Sequence, residues 1–371
     1  VAKMKKEKVK KPNIIFVQLE SHFDITQVKG VKFNKDPLPN FHKYMKGYSS
    51  GQLSMPSYGA GTANSEFEFL TGNSMAFFPN GSVPYLQYIR DGISTIVPQL
   101  EEYGYTTYGT HPYRAKGWNR EFIYDLMGFD YRYFQGSFPF EDKLRNYVSD
   151  EADFKSILEW RNNTEGPFFM FNVTMQNHSP FDAAGVSKDI KLGYNINAPQ
   201  AVQYLNMLRK SDDALKELVT YFKNVKEPTL IIFFGDHEPK IEESFYEEIE
   251  KDYKLDEIYE NLMKRNTQFV IWANYDMKSD NNMYISANRM SSLVLETAGL
   301  AQNGYQQFVS EFSKKVPIIT KKGYIGEDGN FYKTGDKTSP YYEWIHNYDI
   351  IQYNNIFDTK NRVQDLYKIA Q

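Results

Sequence analysis

Thr229–Pro239 reads TLIIFFGDHEP. Thr229–Phe234 is a run of β-branched, aliphatic and aromatic residues, with the length and composition of a strand buried on both faces. Gly235 breaks the run, and an acid and an imidazole, Asp236 and His237, follow at once. Similar runs recur at Asn13–Leu19 (NIIFVQL), Tyr105–Tyr108, Phe168–Val173 and Phe269–Ala273. Helical patterns lie between them. Ala201, Leu205, Leu208, Leu215, Leu218, Val219 and Phe222 keep a 3.6-residue period with charges on the other face, and Val97–Tyr103 and Ser292–Ala298 also read as helix. Buried strands alternating with helices predict an α/β fold whose mostly parallel sheet is covered on both sides.

The 371 residues suffice for one large domain or two ordinary ones. No Pro/Ser-rich linker divides the middle, and there is no solenoid-length repeat. The expected division is a basic linker over residues 1–12, a main domain over 13–317, and a polar, turn-rich C-terminal subdomain over 318–371 in which GYIGEDGNFYKTGD resembles a hairpin with loops. Lys3, Lys5, Lys6, Lys8, Lys10 and Lys11 against Glu7 make the first segment a solvated linker or one lying against anionic lipid head groups. With 43 basic and 47 acidic residues, net charge −4, nothing favours nucleic-acid binding. The absence of cysteine removes disulfides, thiolate nucleophiles and zinc ribbons. No apolar run approaches the roughly 18 residues of a membrane span.

The strand runs end in residues of catalytic type. After NIIFVQL come Glu20, Ser21 and His22; after TTYGT comes His111; after FFMFNVT come Gln176, Asn177 and His178; after TLIIFFG come Asp236 and His237. In an open parallel sheet the carboxyl ends of the strands form one edge, where ligand sites lie. Asp236 and His237 offer oxygen and nitrogen ligands suited to a divalent metal such as Mn or Zn; read alone, they are as well explained by a turn hydrogen bond and a helix cap. Glu20 at a buried strand end needs a metal or a cation.

Ser57–Gly72 (SYGAGTANSEFEFLTG) predicts a helix beginning near Thr62 after a run of small residues. A hydroxyl there faces unsatisfied N–H groups and the positive end of the helix dipole. Thr62 is then an N-cap or, beside a divalent metal, a nucleophile. Arg114 and Arg120 supply cations with the fork geometry that grips phosphate. For Arg120 the competing reading is a surface ion pair. For Trp118, which could cover a sugar-like part of a ligand, it is core packing.

Together, N-I-I-F-V-Q-L-Glu20, G-A-G-Thr62-A-N-S-E-F-E, His111…Trp118-N-Arg120, N-His178-S-P-F and F-G-Asp236-His237-E resemble the lipoteichoic acid synthase and phosphoglycerol transferase family of the alkaline phosphatase and sulfatase superfamily. The motifs run from Asn13 to about Ala298. The resemblance implies a sulfatase-like α/β sandwich and a membrane-anchored enzyme. Its catalytic domain is extracellular at the cell membrane, and the anchoring segments lie outside this sequence. It implies phosphatidylglycerol as donor, a cell wall glycan or a glycerol phosphate polymer as acceptor, and Mn2+ as cofactor, with Mg2+ or Zn2+ as alternatives. By motif, Glu20, Thr62, Asp236 and His237 hold the metal, with Thr62 also the nucleophile. His111, Trp118, Arg120 and His178 contact glycerol phosphate, Arg120 and His178 with catalytic roles. Tyr113 stands where lipoteichoic acid synthases carry an acid. The Thr62 segment looks closer to relatives that decorate a glycan, such as streptococcal enzymes adding glycerol phosphate to a rhamnose-rich wall polysaccharide. The sulfatase C/S-x-P-x-R motif is missing at Thr62. Two other readings are a metal-dependent phosphodiesterase and a non-catalytic glycan-binding wall protein, the latter prompted by 29 Tyr.

Overall fold

The computed structural model describes residues 11–27, 31–182, 186–193, 196–250 and 265–369. The basic segment expected before residue 12 falls almost entirely outside them. The central sheet takes its strands from β1 (Asn13–Leu19), β2 (Ser49–Ser54), β3 (Thr106–His111), β4 (Tyr131–Phe134), β7 (Phe168–Val173), β8 (Thr229–Gly235), β9 (Asn266–Ala273) and β10 (Met283–Ser286). Between β4 and β7, β5 (Lys143–Leu144) and β6 (Tyr147–Val148) form a separate two-stranded ladder. The order across the sheet is β10-β2-β9-β8-β1-β7-β3-β4. β9 pairs antiparallel with both β8 and β2, and every other pairing is parallel. A strand buried on both faces carries the same apolar run in either direction, so sequence alone does not reveal the reversal of β9.

Alternation along the central strands divides the core into two layers. Ile14, Phe16, Leu230, Ile232 and Phe234 face one cluster, which includes Ala63, Phe67 and Leu70 of helix α2 (Thr62–Thr71). Ile15, Val17, Leu19, Ile231 and Phe233 face the other, with α1 (Pro39–Gly47) and the long helix Pro199–Lys223. The predicted helices at Val97–Tyr103 and Ser292–Ala298 are present as Ile96–Glu102 and Met290–Thr297.

β2 reads SSGQLS, without the apolar run that marks the other interior strands. Gly51 explains its place: a Cβ there would lie 2.0 Å from the Met283 carbonyl oxygen of β10. The two backbones meet only because no side chain intervenes.

At the C-terminal end, β11 (Ile318–Thr320), β12 (Gly323–Ile325) and β13 (Phe331–Tyr332) form a small antiparallel sheet. It shares a third apolar cluster with helix Tyr342–Ile356 and with helix Gly304–Lys315, which precedes residue 318. This layer grips α2 from below. Gly72 ends α2 in the left-handed conformation, and its carbonyl accepts hydrogen bonds from the Tyr305 and Tyr348 hydroxyls. Among the described residues no helix is long and apolar enough to cross a membrane.

Candidate active site

β1, β3, β7 and β8 run parallel, so Glu20, His111, His178 and Asp236–His237 emerge on one sheet edge. The first loop is set by two backbone devices. A Cβ on Gly235 would lie 1.8 Å from the His22 carbonyl oxygen, so the chain leaving β1 passes directly over β8. Ser21 adopts a left-handed φ of 50°, which aims its N–H at Asp236 Oδ1, 2.8 Å away. Such a backbone in a residue other than glycine costs about 1–3 kcal/mol. The Ser21 hydroxyl donates to Glu20 Oε1 at 2.9 Å, and the Glu20 N–H donates to Thr174 Oγ1 at 3.1 Å.

Thr62 joins this pocket from the other layer. Its hydroxyl donates to Glu20 Oε2 at 3.4 Å, its carbonyl accepts from Gln18 Nε2 of β1, and Ser65, one turn on, donates to the Asp236 carbonyl. Thr62 is not an N-cap. Gly61 holds that position with φ 99°, and a Cβ there would meet the Ser57 hydroxyl oxygen at 2.6 Å. The Thr62 hydroxyl is therefore free of a capping duty at the positive end of α2.

Glu20, Asp236 and His237 are buried, and one ligand atom from each lies within 4.8 Å of the other two. His237 Nδ1 faces the Glu238 carbonyl at 2.9 Å and so must carry the proton, because a carbonyl only accepts. Its Nε2 lies 3.3 Å from Asp236 Oδ2 and 3.7 Å from Glu20 Oε1. The turn hydrogen bond weighed for His237 thus exists and serves to present Nε2. Burial pushes the Asp236 carboxyl up; His237 opposes this and Glu20 adds to it. Burial works against the His237 imidazolium, but Asp236 and Glu20 outweigh it and hold its pKa above the usual value. Asp236 Oδ2 has no hydrogen-bond partner although it is buried. Two buried carboxylates and a buried imidazole nitrogen that faces both of them fit a divalent cation.

On the same edge, His111 Nδ1 donates to the Val173 carbonyl at 2.9 Å. Burial, then the Arg120 charge, hold this imidazole well below its ordinary pKa, so it is neutral with Nε2 as acceptor. His178 is half-buried, and its Nδ1 faces the Ser179 carbonyl at 2.7 Å, which again leaves Nε2 as the free ring nitrogen. Its loop is clamped by Arg145, which donates to the carbonyls of Gln176 and His178, while the Tyr147 hydroxyl donates to Ser179.

Arg120 is 2% exposed, which excludes a surface ion pair. Its Nε and Nη2 are taken by Glu66, and the Tyr124 hydroxyl donates to the same carboxylate. Trp118 is 36% exposed rather than packed in the core. It and Asn119 are both left-handed, at φ 54° and 60°. Arg114 is exposed, its guanidinium carbon 5.7 Å from the centre of the Tyr113 ring. Sequence reasoning missed Glu66, Tyr124, Arg145 and Tyr147. Only Glu66 had a readable signal: it lies four residues after Thr62, on the same helix face.

The sequence signature of the sulfatase family matches residues 12–300, and the chain belongs to that family. A candidate cyclic beta-1,2-glucan modification protein of Rhizobium meliloti (strain 1021) is 29% identical over 371 residues, 96% of this chain and 57% of the relative. The lipoteichoic acid synthase of Staphylococcus aureus (strain USA300) is 25% identical over 333 residues, 82% of this chain and 48% of the relative. The chain thus spans about half the length of these relatives. Among solved structures, the Streptococcus pyogenes phosphoglycerol transferase GacH in complex with sn-glycerol-1-phosphate superimposes with a TM-score of 0.80 at 24% identity, covering 98% of this chain and 92% of that one. The shared fold is an α/β sandwich with a mostly parallel central sheet.

Proposed function

From its place in the sulfatase family, we propose that this chain is the extracellular catalytic part of a membrane-anchored glycerol phosphate transferase. It moves glycerol phosphate from phosphatidylglycerol, through a covalent glycerophosphoryl-Thr62 intermediate, onto a cell wall glycan or a glycerol phosphate polymer. One observation carries this reading. An uncapped Thr62 hydroxyl lies at the positive end of α2 beside Glu20, Asp236 and His237, on the edge that also carries His111 and His178. The names of the relatives support the class of product: one modifies a cyclic glucan, another makes lipoteichoic acid, and a third protein of the same fold is a phosphoglycerol transferase.

A divalent cation, Mn2+ first and Mg2+ or Zn2+ as alternatives, would be held by Glu20, Asp236, His237 and Thr62 and would supply positive charge beside the Thr62 hydroxyl. The chain supplies the rest. Thr62 Oγ1 attacks phosphorus, its proton passing to the Glu20 oxygen it already faces. The bond from phosphorus to the diacylglycerol oxygen breaks, and His178 as imidazolium protonates that oxygen. In the second half an acceptor hydroxyl attacks the same phosphorus, gives its proton to the neutral His178, and Thr62 is released with its proton restored. Neutral His111 accepts a hydrogen bond from a glycerol hydroxyl through Nε2. Arg120 offers its remaining N–H groups to the phosphoryl oxygens, and the exposed Trp118 indole borders the bound group.

The test is chemical trapping. The full-length protein is mixed with phosphatidylglycerol without acceptor, quenched within the first turnover and digested. The peptide bearing Thr62 should gain the mass of one glycerophosphoryl group. Release of diacylglycerol in the first turnover with no adduct on that peptide would remove the covalent step.

A further inference from the structure

We propose that Glu66 is a positioning residue for this transfer: by taking Nε and Nη2 of Arg120 it leaves Nη1 as the edge of the guanidinium that meets the phosphoryl group. The proposal rests on the reading of Arg120 as a phosphoryl contact.

Glu66 lies one helical turn after Thr62 on α2, and its side chain is fully buried. Arg120 Nε is 2.9 Å and 3.2 Å from its two oxygens, Nη2 bonds to Oε1, and the Tyr124 hydroxyl donates to Oε2 at 2.8 Å. Three hydrogen-bond donors converge on one carboxylate, so the guanidinium plane cannot turn. Nη1 makes no hydrogen bond to the Glu66 carboxylate; it lies beneath Gly117, where a Cβ would be 3.7 Å from it. Burial works against the Arg120 cation, but Glu66 outweighs it, so the group stays charged. Arg120 is also reached through two consecutive left-handed residues, Trp118 and Asn119. The ion pair to Glu66 holds the far end of that turn in place. One rigid helix therefore carries both the proposed nucleophile and the anchor of the anion contact, and their separation is fixed by a single turn of α2.

Electrostatics and positioning predict opposite signs. If Glu66 acted only as a charge, replacing it with a neutral side chain would make the pocket more positive and tighten anion binding. If it positions Arg120, the loss lets the guanidinium swing and weakens binding.

The measurement is the affinity of the full-length enzyme for sn-glycerol-1-phosphate by calorimetry, in a double-mutant cycle of Glu66→Gln with Arg120→Ala. Each single change should weaken binding by about 10- to 150-fold, and the double variant should be no weaker than Arg120→Ala alone. Should Glu66→Gln not fold, Tyr124→Phe replaces it in the cycle; it removes one donor to the carboxylate, and its smaller loss should vanish on the Arg120→Ala background. Unchanged or tighter binding in the Glu66 or Tyr124 variant overturns the proposal, as do losses that multiply in the double variant or an Arg120→Ala enzyme that binds like wild type. Adduct formation on Thr62 in the wild-type enzyme is scored separately, so failure here leaves the transfer reading standing or falling on its own test.

Discussion

Thr62→Ala separates a nucleophile from a structural threonine, because the geometry makes its structural cost small. Gly61, not Thr62, is the N-cap of α2. Among the described residues the Thr62 hydroxyl donates to Glu20 at only 3.4 Å and also interacts with the Asp236 carboxylate. A contact that long contributes less than the 1.5–3 kcal/mol of a good hydrogen bond to a charged group, so about 1 kcal/mol is an upper figure. Alanine also has the higher helix propensity, which offsets several tenths of that. With about 2.1 cal/mol/K of unfolding entropy per residue, a chain of 371 residues loses roughly 1 °C of Tm per kcal/mol. Thr62→Ala should therefore melt within about 1–2 °C of wild type, by differential scanning calorimetry of the metal-free protein. Release of diacylglycerol from a phosphatidylglycerol analogue should meanwhile fall by at least about a thousandfold, as expected when a nucleophile is removed. Thr62→Ser keeps the hydroxyl and should retain measurable turnover. A Thr62→Ala enzyme within tenfold of wild type, or one whose Tm drops by 10 °C, would refute the argument.

Three further outcomes follow from the same geometry. Mn2+ at about a hundred times its dissociation constant should stabilise the protein by about 2.7 kcal/mol, a Tm rise of roughly 3–4 °C, and Asp236→Asn should abolish that rise; an Asp236→Asn protein that still gains it places the ion elsewhere. Gly235→Ala should cost about 3 kcal/mol or more, because the new methyl would occupy the space of the His22 carbonyl, 1.8 Å away; urea unfolding at wild-type stability would contradict that close approach. His42 bridges Asp24 through Nε2 at 2.9 Å and Asp36 through Nδ1 at 2.8 Å. Burial works against its imidazolium, but the two carboxylates outweigh it and raise the pKa from 6.5 to about 9. A raised folded-state pKa means stability fully present below about 6.5 and lost as the pH climbs through about 9. The rise corresponds to at most about 3 kcal/mol, and partial solvent screening reduces that to about 1–2 kcal/mol. Denaturation of wild type and His42→Gln should converge by pH 10, and a constant gap from pH 6 to 10 would show that the bridge carries no charge.

The parts of the fold legible in the sequence are those where burial is written into consecutive residues. NIIFVQL and TLIIFFG are apolar on both faces because β1 and β8 lie in mid-sheet with helices above and below. β2 and β10 were not legible. SSGQLS is buried through Gly51 and the neighbouring backbone rather than through apolar side chains, and a pattern of hydrophobicity cannot register a contact made by the absence of a Cβ. The antiparallel run of β9 was invisible for a related reason: side-chain burial is the same in both directions, and only the hydrogen-bond partners differ.

At the site, the residues that end strands were legible because a polar residue directly after a buried run has few places to go. Glu20, His111, Asp236 and His237 have this form, His178 follows β7 by five residues, and parallel pairing carries all of them to one edge. Many of the supporting contacts were not, because one partner in them is a backbone atom that sequence does not mark. Three imidazoles are fixed by carbonyls, those of Val173, Ser179 and Glu238, and every residue has a carbonyl. Ser21 matters through its N–H and a left-handed φ, not its side chain alone. Glu66 is the exception. It lies in a motif already singled out for Thr62, at the spacing that puts two side chains on one helix face, so its partner could be sought among the buried cations of the same edge. α2 thus has three duties along one axis. Its first residue offers the hydroxyl, its second turn grips Arg120, and the carbonyl of its C-cap, Gly72, is held by Tyr305 and Tyr348 of the C-terminal layer. This gives the C-terminal layer a mechanical reason to exist, since a helix free to slide by even 1 Å would separate Thr62 from Glu20.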